Sequence, residues 1–356
     1  MDQQKHLIYS VNHKISEVVP LHRVAVMLPF AEFLTDIGAP VESSFRRHHL
    51  SIDVLEDLDN YLPSHFFWEF LTDMSRSQGI EDLGFLVGKQ FGVNCADPKM
   101  NLLLTQAATL YQGLRQGSEL TNRTVTNCRL GLQRLPGSRY TQFFHRPSCR
   151  VDNPAVGQIG WFGLMALYGM VREFTGPQWQ PPEIGLMSNQ LPGECIGEYF
   201  PNSRIKLAQP FSYISLENEL LRLPPFTDND VAKESKPVDY RTIQQSFVES
   251  LEQLLPSYRR PKNLNIDIVA EFCNTSKRTL QRKLSENGTS YQELLDRLLL
   301  NTATAKLRNS DMSVTDIASQ LGYSDVSHFI RAFRRVTSVT PQFYRREAMK
   351  GRAARH

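Results

Sequence analysis

Several signals are missing from this 356-residue sequence. It has no C-x-x-C pair: five cysteines, Cys95, Cys128, Cys149, Cys195 and Cys273, lie scattered along it. That excludes a disulfide scaffold or a cysteine-rich zinc module and fits a reducing cytoplasm. The N-terminus shows no basic stretch followed by an apolar run, so no secretory signal is expected. G-x-S-x-G, Walker-loop and H-E-x-x-H motifs are all absent, so no catalytic residue is named, no cofactor is expected and the chain is not read as an enzyme. His48 and His49 are adjacent and would not share a helix face. His145 and Cys149 are separated by Pro147, so no metal site is expected either. Long apolar runs are scarce. Asn153–Val171 carries no charge, but its apolar part, Val156–Val171, would be only about 24 Å long as a helix, short of the ~30 Å hydrocarbon core. Glycines 157, 160, 163 and 169 and Gln158 interrupt it. It reads as a buried helix of a soluble domain, and no membrane partner is expected.

What is present is globular. Hydrophobic residues make up 41% and charged residues 22%, well outside the disordered range, and the length suits two or three domains. The net charge of +3 hides an asymmetry. Residues 1–240 hold 21 basic and 26 acidic residues, a net of −5, and the rest hold 19 and 11, a net of +8. A basic tail on a mildly acidic front suggests a polyanion-binding module, although a solvated basic surface would give the same count.

The stretch Arg222–Tyr240, with three prolines and little periodicity, reads as a linker. This gives a front domain over 1–221, a linker over 222–240 and a tail domain over 241–350. The front domain begins with apolar residues at helical spacing over Val24–Leu34 (interrupted by Pro29), Ser51–Asp57 and His65–Ser77, and a stronger helix is expected over Leu102–Leu114. From Thr124 to Gln133 the pattern alternates like a strand, Pro136-Gly137 turns it, and Arg139–His145 returns. Three more strands are expected at Glu183–Met187, Arg204–Leu207 and Ser212–Leu216. The front is therefore an α+β domain, a helical layer preceding a small mixed sheet. Its aromatics (Phe143, Phe144, Trp161, Phe162, Tyr168, Phe174 and Trp179) suit either a core or a small-molecule pocket, so no effector-binding residue is named.

The tail is all-α and carries an internal repeat. Ile268-Val-Ala-Glu-Phe-Cys-Asn-Thr-Ser matches Asp316-Ile-Ala-Ser-Gln-Leu-Gly-Tyr-Ser, with Ala270 and Ala318 in register. Four residues after each alanine stands a residue that tolerates positive φ, Asn274 or Gly322. Ser276 or Ser324 follows as a candidate cap, and then an i, i+4 apolar pair, Leu280/Leu284 or Phe329/Phe333. Each copy reads as helix, tight turn, helix: the helix-turn-helix of DNA-binding proteins. In the first copy Arg278, Gln281 and Arg282 fall opposite the apolar face, with Lys277 at its edge. In the second, Phe329, Ala332, Phe333 and Val336 are expected inward and Ser327, His328, Arg331, Arg334 and Arg335 outward. Arginine can bridge guanine O6 and N7, and glutamine can pair with adenine N6 and N7. Between the copies, Ser290–Leu307 would form a helix about 27 Å long with a stripe of Leu294, Leu295, Leu298 and Leu299.

These residues resemble a known family. Ile317-Ala318-x-x-Leu321-Gly322-Tyr323-Ser324-Asp325-x-Ser327-His328-Phe329-x-Arg331-x-Phe333-Arg334-Arg335, then Thr340-Pro341-x-x-Tyr344-Arg345, is similar to the signature of AraC/XylS-type transcription regulators. Ser276-Lys-Arg-Thr-Leu-Gln-Arg-Lys-Leu with Gly288-Thr-Ser-Tyr291 resembles that family's first recognition helix and the turn after it. The resemblance covers about residues 241–347. It implies base-reading roles for Arg278, Gln281 and Arg282 and, in the second helix, for Ser327 and Arg331, while Lys277, His328, Arg334 and Arg335 would contact phosphates. Three departures stand out: Asn274 and Ser338 replace glycines, and Leu299 stands where arginine is frequent. The front domain resembles the arabinose-binding-like, non-cupin N-terminal domain of one branch of the family, through Asp82-Leu83-Gly84 before Gly88, the Leu102–Leu114 region, Pro181–Gly185, Leu191–Phe211 and Leu221–Pro225. That branch senses varied small molecules.

The reading that follows is a cytoplasmic, bacterial, nucleoid-associated transcription regulator, an effector-responsive activator reading two adjacent major grooves. Its partners would be double-stranded DNA, RNA polymerase, a small-molecule effector and a second copy of itself as a homodimer. The alternative is a metabolite-binding protein or enzyme whose DNA module only localises it.

Overall fold

The computed structural model describes residues 18–92, 99–125, 128–226, 246–258 and 264–353. By contacts the chain forms two compact units, the described parts of Pro20–Ser44 with Leu55–Ile243, and of Met1–Val19 with Phe45–Val54 and Gln244–His356. Most of the expected linker, residues 227–240, lies outside the described residues. Among the described residues no helix is long and apolar enough to cross a membrane.

The front unit opens with strand β1 (Leu21–Arg23), which pairs antiparallel with β2 (Tyr61–Pro63). Each strand runs directly into a helix, α1 (Val24–Asp36) and α3 (Ser64–Gln78), respectively. Pro29 does not interrupt α1 as expected; it sits inside the helix, buried. Between them in sequence come α2 (Val41–Arg47), whose first four residues belong to this unit, and a 3₁₀ turn at Ile52–Glu56, whose last two do, where the apolar spacing suggested a helix. Then follow α4 (Leu83–Phe91), α5 (Lys99–Thr105) and α6 (Leu110–Thr124). The single helix expected over Leu102–Leu114 is thus two. Thr109 breaks it by accepting a hydrogen bond from Gln112 N–H at 3.3 Å as an N-cap.

A five-stranded sheet of order β3-β4-β7-β5-β6 forms the second layer: β3 (Cys128–Arg134), β4 (Tyr140–Pro147), β5 (Glu183–Gly185), β6 (Arg204–Lys206) and β7 (Ser212–Glu217). All pairs are antiparallel except β5 with β6, so the mixed α+β reading holds. The strand expected from Thr124 begins later, because α6 runs through Thr124. Asn122 at the end of α6 behaves as a strand residue instead. Its side chain accepts from Leu130 N–H at 3.0 Å and donates to Leu130 C=O at 2.9 Å.

The uncharged stretch is α7 (Val156–Thr175), buried along most of its length. Two close approaches each require a glycine, one on α4 and one on α7. A Cβ on Gly84 would stand 2.0 Å from the Gln158 carbonyl oxygen, and one on Gly163 would stand 2.4 Å from Nδ1 of His145. Phe143, Trp161, Tyr168 and Phe174 belong to the core that α7 organises, and Trp179 packs against it. A short helix, α8 (Glu194–Tyr199), closes the β5–β6 connection.

Two buried imidazoles lie in this unit. Burial pushes His22 down to about 3, with His145 adding to the effect, and pushes His145 down to about 4. Both are neutral at pH 7. The unfolded chain takes up these protons near pH 6.5 while the folded chain refuses them, so stability is full above that pH and is lost as pH falls toward 4. All three tryptophans, Trp68, Trp161 and Trp179, lie in the front unit. Denaturant midpoints followed by tryptophan fluorescence from pH 7.5 to 5 should therefore fall, by up to about 1.4 kcal/mol per pH unit per histidine well below 6.5. The double substitution His22→Phe/His145→Phe should flatten the profile; an unaltered slope would assign the acid sensitivity elsewhere.

Candidate nucleic-acid interface

The second unit is helical: α9 (Phe247–Leu254), α10 (Ile266–Phe272), α11 (Lys277–Glu286), α12 (Tyr291–Asn309), α13 (Val314–Gln320), α14 (Val326–Thr337) and α15 (Pro341–Ala353). Val19 N–H donates to Ser250 Oγ on α9 at 3.1 Å. The helices pair as the repeat implied, α10 with α11 and α13 with α14, with α12 between the pairs.

The two turns are built alike. After α10, Asn274 N–H donates to Glu271 C=O at 2.8 Å and Thr275 N–H to Ala270 C=O at 2.9 Å. After α13, Gly322 N–H donates to Ser319 C=O at 3.0 Å and Tyr323 N–H to Ala318 C=O at 2.9 Å. Each helix thereby satisfies its last carbonyls through a left-handed residue: Asn274 has φ 48° and Gly322 φ 89°. Ala270 and Ala318 are buried in the crossing. Ser338, another of the three departures, also has a left-handed φ, 65°. The third, Leu299, is buried in the stripe of α12 with Leu294, Leu295 and Leu298.

The caps differ between copies. Ser276 accepts from Thr279 N–H at 3.2 Å, as expected. In the second copy the cap is Asp325 rather than Ser324, accepting from Ser327 N–H at 2.7 Å. The second turn is one residue longer, so its cap moves one residue on. That backbone donor holds the Asp325 carboxyl below the usual carboxylate range.

Leu280, Leu284, Phe329 and Phe333 are buried, and all nine candidate DNA-contacting residues are exposed. Val336, expected inward, is 51% exposed at the rim of a shallow cleft shared with Asp296, Leu299 and Arg335. Arg278, Gln281 and Arg334 make no ion pair or side-chain hydrogen bond among the described residues. The others are partly engaged. Lys277 Nζ lies 3.1 Å from Asp267, Arg282 Nη1 2.6 Å from Glu286, and Arg335 Nη2 3.3 Å from Asp296 on α12. His328 Nε2 stands 4.0 Å from Asp325, and Arg331 also acts on that carboxylate. Exposed pairs of this kind contribute little in water and release their cation readily. The Arg282–Glu286 pair was legible as an i, i+4 spacing; the Arg335–Asp296 pair joins residues 39 apart and had no local signal.

Two contacts that sequence reasoning missed hold the helices in place. Tyr291 Oη donates to Leu264 C=O at 2.6 Å, tying the start of α12 to the segment before α10. Arg297 on α12 pairs with Glu252 on α9 at 2.9 Å.

The left-handed turn is directly testable. Asn274→Val should lower the stability of this unit by about 1–2 kcal/mol, because a β-branched residue resists that conformation. Asn274→Gly should hold it or raise it. Equal loss in both variants, measured by denaturant unfolding followed by far-UV circular dichroism, would show that the asparagine side chain and not its φ is what matters.

Comparison with known proteins supports the fold in both units. A family model described as a helix-turn-helix domain matches residues 269–347. The chain is 30% identical over 193 residues to the ornithine utilization regulator of Pseudomonas aeruginosa, covering 51% of this chain and 56% of that protein. It is 45% identical over 80 residues to the HTH-type transcriptional activator RhaS of Escherichia coli, covering 22% of this chain and 29% of that one. The matched regions therefore span little more than half, or under a third, of these relatives. Among solved structures, the transcriptional regulator CdpR from Pseudomonas aeruginosa aligns with 90% of this chain and 97% of its own, at 20% identity and a TM-score of 0.40. A second family model, described as the arabinose-binding domain of AraC transcription regulators, matches residues 38–225. That match covers more than half of the sequence, and the chain belongs to the AraC family of transcription regulators.

Proposed function

We propose that the chain is a sequence-specific DNA-binding activator of transcription whose tail reads two adjacent major grooves and whose front unit answers to a small molecule. The observation that carries this reading is the pair of like-built helix-turn-helix units, with Arg278 and Gln281 exposed on one second helix and Arg331 on the other. Helix α12, 19 residues long, separates them. It measures about 28 Å, close to the ~34 Å turn of B-DNA. The matched relatives are named as a regulator and as an activator. Arg278, Gln281, Arg282, Ser327 and Arg331 read base edges, and Lys277, His328, Arg334 and Arg335 bind phosphates. The effector changes how the tail is presented, through its different affinity for two states of the protein. RNA polymerase is the downstream partner, a homodimer brings two tails to paired sites, and the protein works in the bacterial cytoplasm on the nucleoid.

The test is retention of sheared genomic DNA by the full-length protein, followed by sequencing. Discrete peaks sharing two half-boxes one helical turn apart are expected. Arg278→Ala and Arg331→Ala should each cost about 1–3 kcal/mol at a specific site and relax one position. Arg334→Ala should weaken all sequences alike and reduce the salt slope by about one. Diffuse, salt-sensitive retention equal in the native protein and an Arg278→Ala/Arg331→Ala double variant would reduce the tail to an electrostatic anchor.

A further inference from the structure

The front unit is not solid. A cavity of about 80 Å³ lies between the β1–α1 junction, α3, α6, the β3–β4 hairpin and α7. A water needs about 10–15 Å³ of such space, so the cavity holds on the order of six water-sized groups, the size of a single substituted ring. Its walls are mostly apolar, with Phe67, Ile159, Phe162 and Ala166 among them. Helix α7 presents only a methyl to it at Ala166. His145 occupies the place a Gly163 side chain would take.

Polar groups are few, and two are the buried imidazoles. His22 is 8% exposed and His145 7%. Nδ1 of His145 is buried with no hydrogen-bond partner. A buried polar atom left unsatisfied is costly, and this one faces Gly163, which with His145 forms part of the cavity wall. The charge balance limits what that ligand can be. Both rings are neutral at pH 7, since burial holds them near 3 and 4. The cation in the lining, Arg23, is already paired with Asp59. An anion would have to protonate a ring that resists it or lie unpaired against apolar walls, both unfavourable. A hydroxyl, N–H or carbonyl needs only the donor and acceptor that a neutral imidazole offers.

We propose that this cavity is the effector site of the front unit, taking a small uncharged cyclic molecule with an apolar body and one hydrogen-bonding group held by His145. The proposal rests on the effector-responsive reading above and names the place and chemical class of the effector.

Titration calorimetry on the full-length protein with 4-methylphenol, indole, toluene and benzoate tests it. Saturable binding of 4-methylphenol or indole is expected, with benzoate at least about tenfold weaker. Ala166→Phe, which fills the cavity, should weaken the neutral rings by about tenfold or more. His145→Phe should weaken 4-methylphenol while leaving toluene nearly unchanged. The native chain gives a check free of folding effects: its histidine ring nitrogens, followed by nitrogen-15 NMR, should shift for His145 on adding 4-methylphenol. Overturning results are no binding of any neutral ring tighter than about 1 mM, equal binding of benzoate, or binding with the His145 signals unmoved. The effector reading fails separately. If the rings bind in the cavity as described but leave retention of specific DNA unchanged at saturation, the site stands as a ligand site and its regulatory role falls.

Discussion

One backbone dihedral in each half of the tail carries the orientation of the second helix of a helix-turn-helix. An α-helix that ends in an ordinary right-handed residue leaves its last carbonyls unpaired and sets no exit direction. Here Asn274 and Gly322 turn the chain through the left-handed region, and the next residue's N–H returns to the alanine carbonyl four residues before them. That closure leaves the chain leaving its helix at a set angle, and the buried alanine lets the following helix cross at close range. Everything exposed on α11 and α14 inherits its direction from this turn. Had Ala270 or Ala318 been a larger residue, the crossing would have opened and the exposed side chains of the following helix would have changed direction.

The front unit solves a different problem, that of burying a long apolar helix beneath a sheet and under other helices. Its solution is absence of side chains at the crossing points. Gly84 meets the backbone at Gln158, and Gly163 makes room for His145. Close approach of this kind gains dispersion contacts on both sides, but it transfers the packing burden to the neighbouring positions. Where those are small, as at Ala166, space remains. Helix α7 thus meets α4 and β4 through glycines, whereas the open space lies beside the small Ala166. The contact with His145 follows from Gly163, which at sequence level only weakened the case for a membrane helix.

The tail was far more legible than the front for a physical reason. Its signals are local: a cap, a turn residue and an i, i+4 apolar pair lie within fifteen residues, and repetition in register doubles their weight. The fate of Leu280, Leu284, Phe329 and Phe333 followed from spacing alone. Where the reading slipped, non-local geometry decided. The cap moved from Ser324 to Asp325 with one extra residue in the turn, and Val336 stayed exposed because nothing in the spacing reveals how far a neighbouring helix reaches. In the front unit the helix α6 outran the alternating pattern that begins at Thr124, since Asn122 pairs with Leu130 across eight residues as a strand neighbour would. The cavity was invisible to sequence reasoning. Of the seven aromatics singled out, Phe162 lines it.

The electrostatics of the first recognition helix separate its arginines. Arg278 and Arg282 stand four residues apart on α11 and share its exposed face, yet they are not equivalent donors. Arg282 is paired with Glu286 on the same helix, one turn further on, whereas Arg278 has no such partner among the described residues. A helix entering a groove brings its own carboxylates with it, and Glu286 would approach either a phosphate, which repels it, or a cytosine N4, which it can accept from. In the first case Arg282 keeps its partner and screens the helix from that repulsion. In the second it is released toward a base as the carboxylate finds another donor. Arg278 faces no such choice and, under the proposed reading, would be the stronger anchor in either arrangement. In the base-reading role proposed above, Arg278 would set the position of the helix and Arg282 would adjust to the sequence it meets.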